Sequence, residues 1–281
     1  MQYICDKTFD EERALYGSDG VRVENCRFEG PADGESALKE SQNVEVANCH
    51  FALRYPFWHD THLTVENCTL TDTCRAAFWY DEDVKVAHTT LGGIKAFREC
   101  KDVKITDCEG ISEEFGWNCR NISMERFTMQ SAYFLFGAGH VTMKESTFTG
   151  KYSFQYVKNA VIRDSVLNTK DAFWHSENVT VYDSVLKGEY LGWYAKNLRL
   201  VRCKIIGTQP LCYCEDLVLE DCTMEGCDLA FENCTVNATV KGHIDSVKNP
   251  THGRITADSI GEIILDAHQR PGSDCVIEVK G

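Results

Sequence analysis

The chain has 281 residues, of which 43% are hydrophobic, and a formal net charge of −14 at pH 7. This charge argues against nucleic acid and anionic membranes as partners, because most of the surface would repel either one. Charged residues occupy the N-terminus where a signal peptide needs an apolar core, and no apolar run reaches membrane-spanning length. We therefore expect a cytoplasmic protein.

The first 20 residues precede the repeated part of the sequence. Residues 8–17 read Thr-Phe-Asp-Glu-Glu-Arg-Ala-Leu-Tyr-Gly, with a capping residue, an acidic first turn and a terminal glycine. These features are typical of a short helix. We predict that residues 1–20 form a helical cap over an otherwise unpaired strand edge.

From residue 21 to residue 241 the sequence repeats. Runs begin at Val21, Val44 and Leu63, and then every 19 residues from Val84 to Val236. Apolar residues lie at each start and two, five and seven residues later, which is typical of strands joined by a bend. Helical repeats, leucine-rich repeats and hexapeptide helices do not fit this spacing. We predict an all-β fold, a single-stranded right-handed parallel β-helix of about 12 coils of ~19 residues.

Equivalent residues of successive coils should lie in columns, about 4.8 Å apart. One column of small residues contains Cys26, Cys49, Cys68, Cys108, Cys203 and Cys222, interspersed with serine and threonine. Because cysteine alternates with other small residues there, we expect buried free thiols rather than disulfides. The cysteines lack paired Cys-x-x-Cys spacing, so we predict neither a metal site nor a cofactor.

The third strand of each coil is rich in aromatic residues. One column contains all five tryptophans, Trp58, Trp79, Trp117, Trp174 and Trp193. Phenylalanines precede most of them, and His59, Tyr80, Glu99, Asn118, Tyr156, His175, Tyr194 and Tyr213 form the column that follows. Side chains alternate along a strand, so counting back from the small residues Cys100 and Cys119 places the tryptophans inside. The phenylalanine column and the His/Tyr column then lie on the surface. Arg98 and Gln155 share the tryptophan column, and their polarity favours the opposite orientation, in which the tryptophans lie on the surface.

In either orientation, aromatic rings should line an outer groove that suits the apolar faces of sugar rings. The alternative is an aromatic stack that completes the core. Charged residues precede the aromatics, and Arg54, Arg75, Lys95 and Arg98 form a basic patch that could receive a carboxylate or phosphate. Alternatively, the patch is a solvated edge paired with Asp60, Asp81, Glu82 and Asp83. The predicted ligand-binding residues are Arg54, His59, Arg75, Tyr80, Lys95, Glu99, Tyr156, Tyr194 and Tyr213.

A carboxylate pair is the candidate for catalysis. Asp171 and Glu189 fall on adjacent rungs, so their carboxyls could be about 5 Å apart, as in retaining glycosidases. Together with His175 they would supply general acid and base groups. Alternatively, Lys151 and Lys170 make this region a salt-bridged surface.

The coil rhythm is lost after Val236. We predict that residues 242–281 form a C-terminal cap and tail, with one further strand at residues 276–279.

Residues 53–60, Leu-Arg-Tyr-Pro-Phe-Trp-His-Asp, and residues 188–194, 207–214 and 242–246 carry a family resemblance. The chain resembles the pectin-lyase-like right-handed β-helices, and within them a bacterial family of unknown function. The resemblance implies the fold but no catalytic residue. The Asn-Thr-Asp, Asp-Asp and Gly-His-Gly motifs of polygalacturonases are missing, and so are the clustered aspartates that hold calcium in pectate lyases.

Two hypotheses follow. In the first, the protein binds a carbohydrate or another anionic small ligand along the aromatic groove, and could also process it. In the second, it is a non-catalytic scaffold that self-associates through the same face.

Overall fold

The structure is a computed structural model and describes residues 1–280. It is an all-β parallel β-solenoid of about 15 turns of ~19 residues. The chain divides into two compact units, Met1–Thr142 and Met143–Gly281. Within the described residues the single helical element is a 3-10 helix at Asp72–Cys74. No helix there is long and apolar enough to cross a bilayer.

The first twenty strands in chain order, β1 to β20, lie within residues 2–144. They are β1 Gln2–Cys5, β2 Thr8–Phe9, β3 Asp19–Glu24, β4 Arg27–Phe28, β5 Gln42–Ala47, β6 His50–Phe51, β7 Phe57–Trp58, β8 Thr61–Glu66, β9 Thr69–Leu70, β10 Phe78–Trp79, β11 Glu82–Ala87, β12 Thr90–Leu91, β13 Phe97–Arg98, β14 Lys101–Thr106, β15 Glu109–Ile111, β16 Glu114–Phe115, β17 Arg120–Glu125, β18 Thr128–Ser131, β19 Tyr133–Phe134 and β20 Gly139–Lys144.

The remaining strands lie in the rest of the chain. They are β21 Thr147–Gly150, β22 Lys158–Arg163, β23 Val166–Asn168, β24 Glu177–Tyr182, β25 Val185–Lys187, β26 Lys196–Val201, β27 Lys204–Ile206, β28 Leu217–Glu225, β29 Thr235–Lys248, β30 His252–Ile264 and β31 Val276–Val279.

Strand register follows the sequence repeat. In the first unit Val44 pairs with Leu63, and Leu63 pairs with Val84, both in parallel strands. In the second unit Val179 pairs with Leu198 in the same way. Side chains of these starts are buried, so each column adds apolar area to the core of its unit. The predicted parallel β-helix and its columns are confirmed.

The column of small residues lies inside the coils. All fifteen cysteines are free thiols, and only Cys5 and Cys275 are partly exposed. Neighbouring rungs are joined through sulfur, since the Cys49 N–H donates to the Cys68 Sγ at 3.3 Å. A small polarisable side chain fits this inward corner, where the backbone N–H needs an acceptor.

The predicted N-terminal helix and the number of coils are wrong. Strands β1 and β2 pair in parallel with β3 and β4, so residues 1–20 form a turn of the solenoid. Between these strands, the Arg13 N–H donates to the Glu35 carbonyl and the Leu15 N–H to the Ala37 carbonyl, both at 2.8 Å. Hydrogen bonds to the next coil thus replace the bonds a helix would make. This extra turn, with the turns at the other end, raises the count from 12 to about 15.

Residues after Val236 continue the parallel pairing. Val236 pairs with Gly253 in β30, a step of 17 residues, and Arg254 pairs with Val276 in β31, a step of 22. Coils of unequal length therefore explain the lost rhythm in this segment. The predicted strand at Val276–Val279 is confirmed.

Candidate functional site

The tryptophan and His/Tyr columns both face outward, so the predicted inward orientation of the tryptophans is wrong. Phe57, Phe78 and Phe97 are fully buried, whereas the tryptophans beside them are half-buried. His59 and Tyr80, which follow the tryptophans, have φ near +60° and are exposed. A left-handed residue interrupts the alternation of a strand, so two successive side chains point to the same side.

Rings in these columns stack on one another. Trp58 and Trp79 lie with centroids 5.0 Å apart and planes 12° apart, and His59 and Tyr80 lie 5.0 Å and 8° apart. The Nζ of Lys39 lies 4.0 Å from the centroid of the Trp58 ring. Each interior ring therefore has its faces covered and offers only an edge to solvent. A ligand ring can stack only where a column ends or is interrupted.

The tryptophan column is interrupted at Trp79. Arg98 occupies the next rung, paired with Trp79 in the backbone register. Its guanidinium lies over Trp117, 6.0 Å from that ring's centroid. A cleft of about 370 Å³ opens here, which we call the Trp79 cleft, and it is lined by Tyr55, Arg75, Ala76, Trp79, Ile94, Lys95, Arg98 and Glu114. Trp58 covers one face of the Trp79 indole, so the contribution of this ring to the cleft comes from its other face and its edge.

Three cations and one carboxylate line the Trp79 cleft. The Lys95 Nζ lies 3.3 Å from the Glu114 Oε2, and the Arg98 Nε lies 3.6 Å from an oxygen of Glu99. Arg75 is exposed, and no carboxylate in residues 1–280 pairs with it. The cleft thus contains one uncompensated positive charge on a protein whose net charge is −14.

The backbone around Arg75 is held by an irregularity in the repeat. The step from Leu63 to Val84 is 21 residues long and contains the 3-10 helix, after which Arg75 adopts φ +56°. Gly93 has φ +102°, and a Cβ there would lie 2.5 Å from the Arg75 carbonyl oxygen. The Lys95 N–H donates to that same oxygen at 2.8 Å. Only glycine at position 93 lets the two cleft cations approach in this way.

Asp60 and Asp81 do not pair with the basic patch, contrary to the alternative interpretation of that patch, and Glu82 and Asp83 pair instead with Lys101 and His62. Asp60 and Asp81 are both buried in the column that continues with Cys100 and Cys119. Asp60 Oδ1 accepts from the Ser41 N–H and Asp81 Oδ1 from the Asp60 N–H, each at 2.8 Å. Their Oδ2 atoms have no hydrogen-bond partner among the described residues. Burial raises the pKa of both carboxyls, and the charge of Asp81 adds to the rise for Asp60.

The predicted ligand residues of the first unit are dispersed. Arg75 and Lys95 meet in the Trp79 cleft, and Glu99 contacts Arg98 at its edge. His59 and Tyr80 form a stacked pair in the neighbouring column. Arg54 is not among the residues that line the cleft, and its guanidinium lies 3.2 Å from Asp33 and 3.3 Å from Glu35.

In the second unit, the remaining predicted ligand residues form one column. Tyr156, His175, Tyr194 and Tyr213 stack with successive centroid separations of 5.3, 5.1 and 5.0 Å. Their planes differ by no more than 18°. Here too the ring edges, rather than the faces, meet the solvent.

The carboxylate candidates lie beside this column. Lys170 Nζ donates to Glu189 at 2.8 Å, as the alternative of a salt-bridged surface expects. Asp171 is half-buried, and burial raises its pKa, with the charge of Glu189 also contributing. His175 lies between the rings of Tyr156 and Tyr194. A catalytic role for Asp171, Glu189 and His175 stays a prediction.

Within residues 1–280, no cluster of three or more His, Cys, Asp or Glu side chains is placed to hold a metal ion. Tyr55, Ala76, Ile94 and Glu114 line the Trp79 cleft but were not among the predicted ligand residues. The sequence signal that points to them is the 21-residue step followed by Gly92 and Gly93, where the repeat is irregular.

Solved structures similar to this chain include a surface protein and adhesin of Streptococcus pneumoniae, at 10% identity and a TM-score of 0.41, which covers 93% of this chain and 81% of its own. The A-module of a mannuronan C-5 epimerase from Azotobacter vinelandii has 9% identity and a TM-score of 0.35, covering 99% and 90%. A tailspike protein mutant of E. coli bacteriophage HK620, solved in complex with a pentasaccharide, has 9% identity and a TM-score of 0.37, covering 99% and 70%.

A comparison with curated proteins found no match. The family described as "Protein of unknown function (DUF3737)" matches residues 2–278. That match spans both compact units and nearly every strand of the solenoid. The chain therefore belongs to the DUF3737 family of proteins of unknown function.

Proposed function

We propose that this chain binds a carbohydrate or another small anionic ligand, and that the Trp79 cleft is the binding site. The observation that carries the proposal is that the Trp79 indole and the guanidinium of Arg75, which pairs with no carboxylate among the described residues, line the same cleft. An aromatic face attracts the apolar side of a ring, and a guanidinium binds a carboxylate or phosphate with two parallel hydrogen bonds. The cleft volume of about 370 Å³ lies in the range typical of small-ligand sites.

Electrostatics favour an anion despite the acidic protein. Lys95 and Arg98 each have a carboxylate within 4 Å, so Arg75 is the group that gains most from a bound anion. An exposed ion pair contributes at most about 1 kcal/mol, but the value rises when a ring stacked on Trp79 excludes water from the pair. Ring stacking and charge recognition therefore reinforce each other in this cleft.

Extended binding along the aromatic columns has less support. The faces of Trp58, His59 and Tyr80 are covered at least on one side by a neighbouring ring. A long glycan would meet ring edges over most of such a column. We therefore propose a site for one or two rings rather than a groove for a polymer.

The test uses glucuronate as an acidic sugar and glucose as its neutral counterpart. We expect glucuronate to quench tryptophan fluorescence and to raise the melting temperature, because a ligand that binds only the folded state stabilises it by mass action. Arg75→Gln should weaken glucuronate binding at least fivefold and leave the weaker glucose binding unchanged. Trp79→Leu should weaken both.

The matched controls lie in the second unit. Arg199→Gln removes an arginine outside the cleft and Trp193→Leu removes a tryptophan of the other column segment, so neither should alter the affinity. Equal loss in the control variants, or an unchanged affinity in Arg75→Gln and Trp79→Leu, would refute the Trp79 cleft as the site.

Self-association is the second candidate function. It is favoured by the exposed edges of Tyr156 and Tyr194, which are 44% and 42% accessible and belong to one stacked column. Tyrosine edges of this kind are common in protein interfaces. Light scattering over a hundredfold range of protein concentration tests it, and a constant monomer mass would exclude it.

A further inference from the structure

We infer that the ligand of the Trp79 cleft is a planar aromatic carboxylate rather than a saturated sugar acid. This inference rests on the proposed function, because it names the chemical class that the same cleft accepts. It follows from three properties of the lining: its hydrogen-bonding groups, its apolar walls and its charge.

The hydrogen-bonding groups of the lining are mostly donors. Arg75, Lys95 and Arg98 offer only N–H groups, and the one carboxylate, Glu114, already faces Lys95. The other side-chain acceptor of the lining is the Tyr55 hydroxyl, and no serine, threonine, asparagine or glutamine side chain lines the cleft. Sugar hydroxyls must both donate and accept, and the Glu114 carboxylate and the Tyr55 hydroxyl are too few acceptors for all the hydroxyl hydrogens of a sugar. Each such desolvated and unpaired group costs about 1–3 kcal/mol. A carboxylate is acceptor-only and matches the three cations that dominate this lining.

The walls between these charges are apolar and partly aromatic. The Tyr55 ring lies 5.9 Å from Trp79 with an angle of 47° between their planes, so the two form a corner. Ala76 and Ile94 complete the wall, and Ile94 is 47% exposed although it is a large aliphatic residue. A flat ring with apolar edges covers such a corner and stacks on the indole face, whereas the hydroxyl-bearing edge of a sugar would meet aliphatic carbon.

The charge of the lining fits one negative charge. After Lys95 is matched by Glu114 and Arg98 by Glu99, Arg75 is the cation left without a carboxylate. A planar carboxylate satisfies the guanidinium fork with two hydrogen bonds. A dianionic phosphate would bring a second charge that these side chains do not balance.

The experiment measures affinities by isothermal titration calorimetry for 2-naphthoate, 2-naphthamide, cyclohexanecarboxylate and glucuronate. We expect 2-naphthoate to bind at least tenfold more tightly than glucuronate and at least fivefold more tightly than its neutral amide. Arg75→Gln should remove the preference for acid over amide, and Trp79→Leu should remove the preference for naphthoate over cyclohexanecarboxylate. Arg199→Gln and Trp193→Leu again serve as controls. Arg75 is exposed and unpaired, so its variant should fold like the parent protein.

The outcomes separate the two proposals. If glucuronate binds as tightly as 2-naphthoate or more tightly, the aromatic class is overturned and the proposed function stands. If none of the acids binds, both are overturned. If 2-naphthoate binds equally well to Arg75→Gln, the interaction is nonspecific apolar binding and the inference is overturned.

Discussion

Replacing Asp60 by serine should stabilise the protein increasingly as the pH rises. Asp60 is 1% exposed, its Oδ2 has no hydrogen-bond partner within residues 1–280, and burial together with the charge of Asp81 raises its pKa to about 9. In the unfolded chain the same group has an ordinary pKa near 3.8. Between these values the folded state retains a proton that the unfolded state has lost.

The sign and size of the effect follow from proton linkage. Because the folded state binds more protons, the free energy of unfolding falls as pH rises, by about 1.4 kcal/mol per pH unit for each such group. The stabilising contribution is complete below pH 3.8 and is lost as pH rises toward 9. Asp60→Ser removes this dependence, so the difference between variant and parent should grow by about 1.4 kcal/mol per pH unit from pH 5 to pH 8.

Serine is a suitable replacement because the column already contains one. Ser41 precedes Asp60 in the column, and its Oγ accepts from the Ser18 N–H at 3.1 Å. A serine at position 60 can accept from the Ser41 N–H in the same manner. Urea unfolding at pH 5, 6, 7 and 8 measures the difference, and Asp216→Ser at an exposed turn makes the same charge change as a control. A stability difference that is constant over this pH range would refute the reasoning.

Two further predictions concern the cleft and the candidate catalytic pair. Gly93→Ala should lower ligand affinity and cost about 1–3 kcal/mol of stability, since its Cβ would displace the Arg75 carbonyl. Gly20→Ala, with φ +67° and no atom within 4 Å of its Cβ, controls for backbone strain in calorimetric melts and should leave affinity unchanged. If the second unit processes an oligosaccharide, Asp171→Asn and Glu189→Gln should each reduce turnover at least a hundredfold, assayed as reducing ends released from an oligosaccharide panel. Equal turnover in the parent and both variants would remove this pair from consideration.

The fold could be predicted from the sequence because a solenoid repeats its physical environment. Residues of one column have the same surroundings, so the same residue type recurs at equivalent positions such as Val84 and Val103. The repeated pattern identifies the strand many times over. The ends were harder to predict, because Thr8 and the acidic residues after it also match a helix start. What decides the outcome there is hydrogen bonding of Arg13 and Leu15 to the next coil, which local sequence does not record.

The orientation of the aromatic columns was predicted wrongly for a related reason. Parity counting assumes that side chains alternate along a strand, but His59 and Tyr80 adopt a left-handed conformation at the corner. Such a residue costs about 1–2 kcal/mol unless turn and stacking contacts compensate for it. Asparagine or aspartate at a corner predicts this left-handed conformation from sequence, whereas histidine and tyrosine do not.

The candidate site arises where the repeat is broken. In regular coils a ring such as Trp58 has Lys39 on one face and Trp79 on the other, so stacking stabilises the solenoid and covers the surface a ligand would need. At Trp79 the next rung is Arg98, which turns toward Trp117, and the extra residues before Arg75 carry a second guanidinium to the opening. Because periodic positions are occupied by structural contacts, irregular steps in the repeat are the places to look for function in solenoids of this kind.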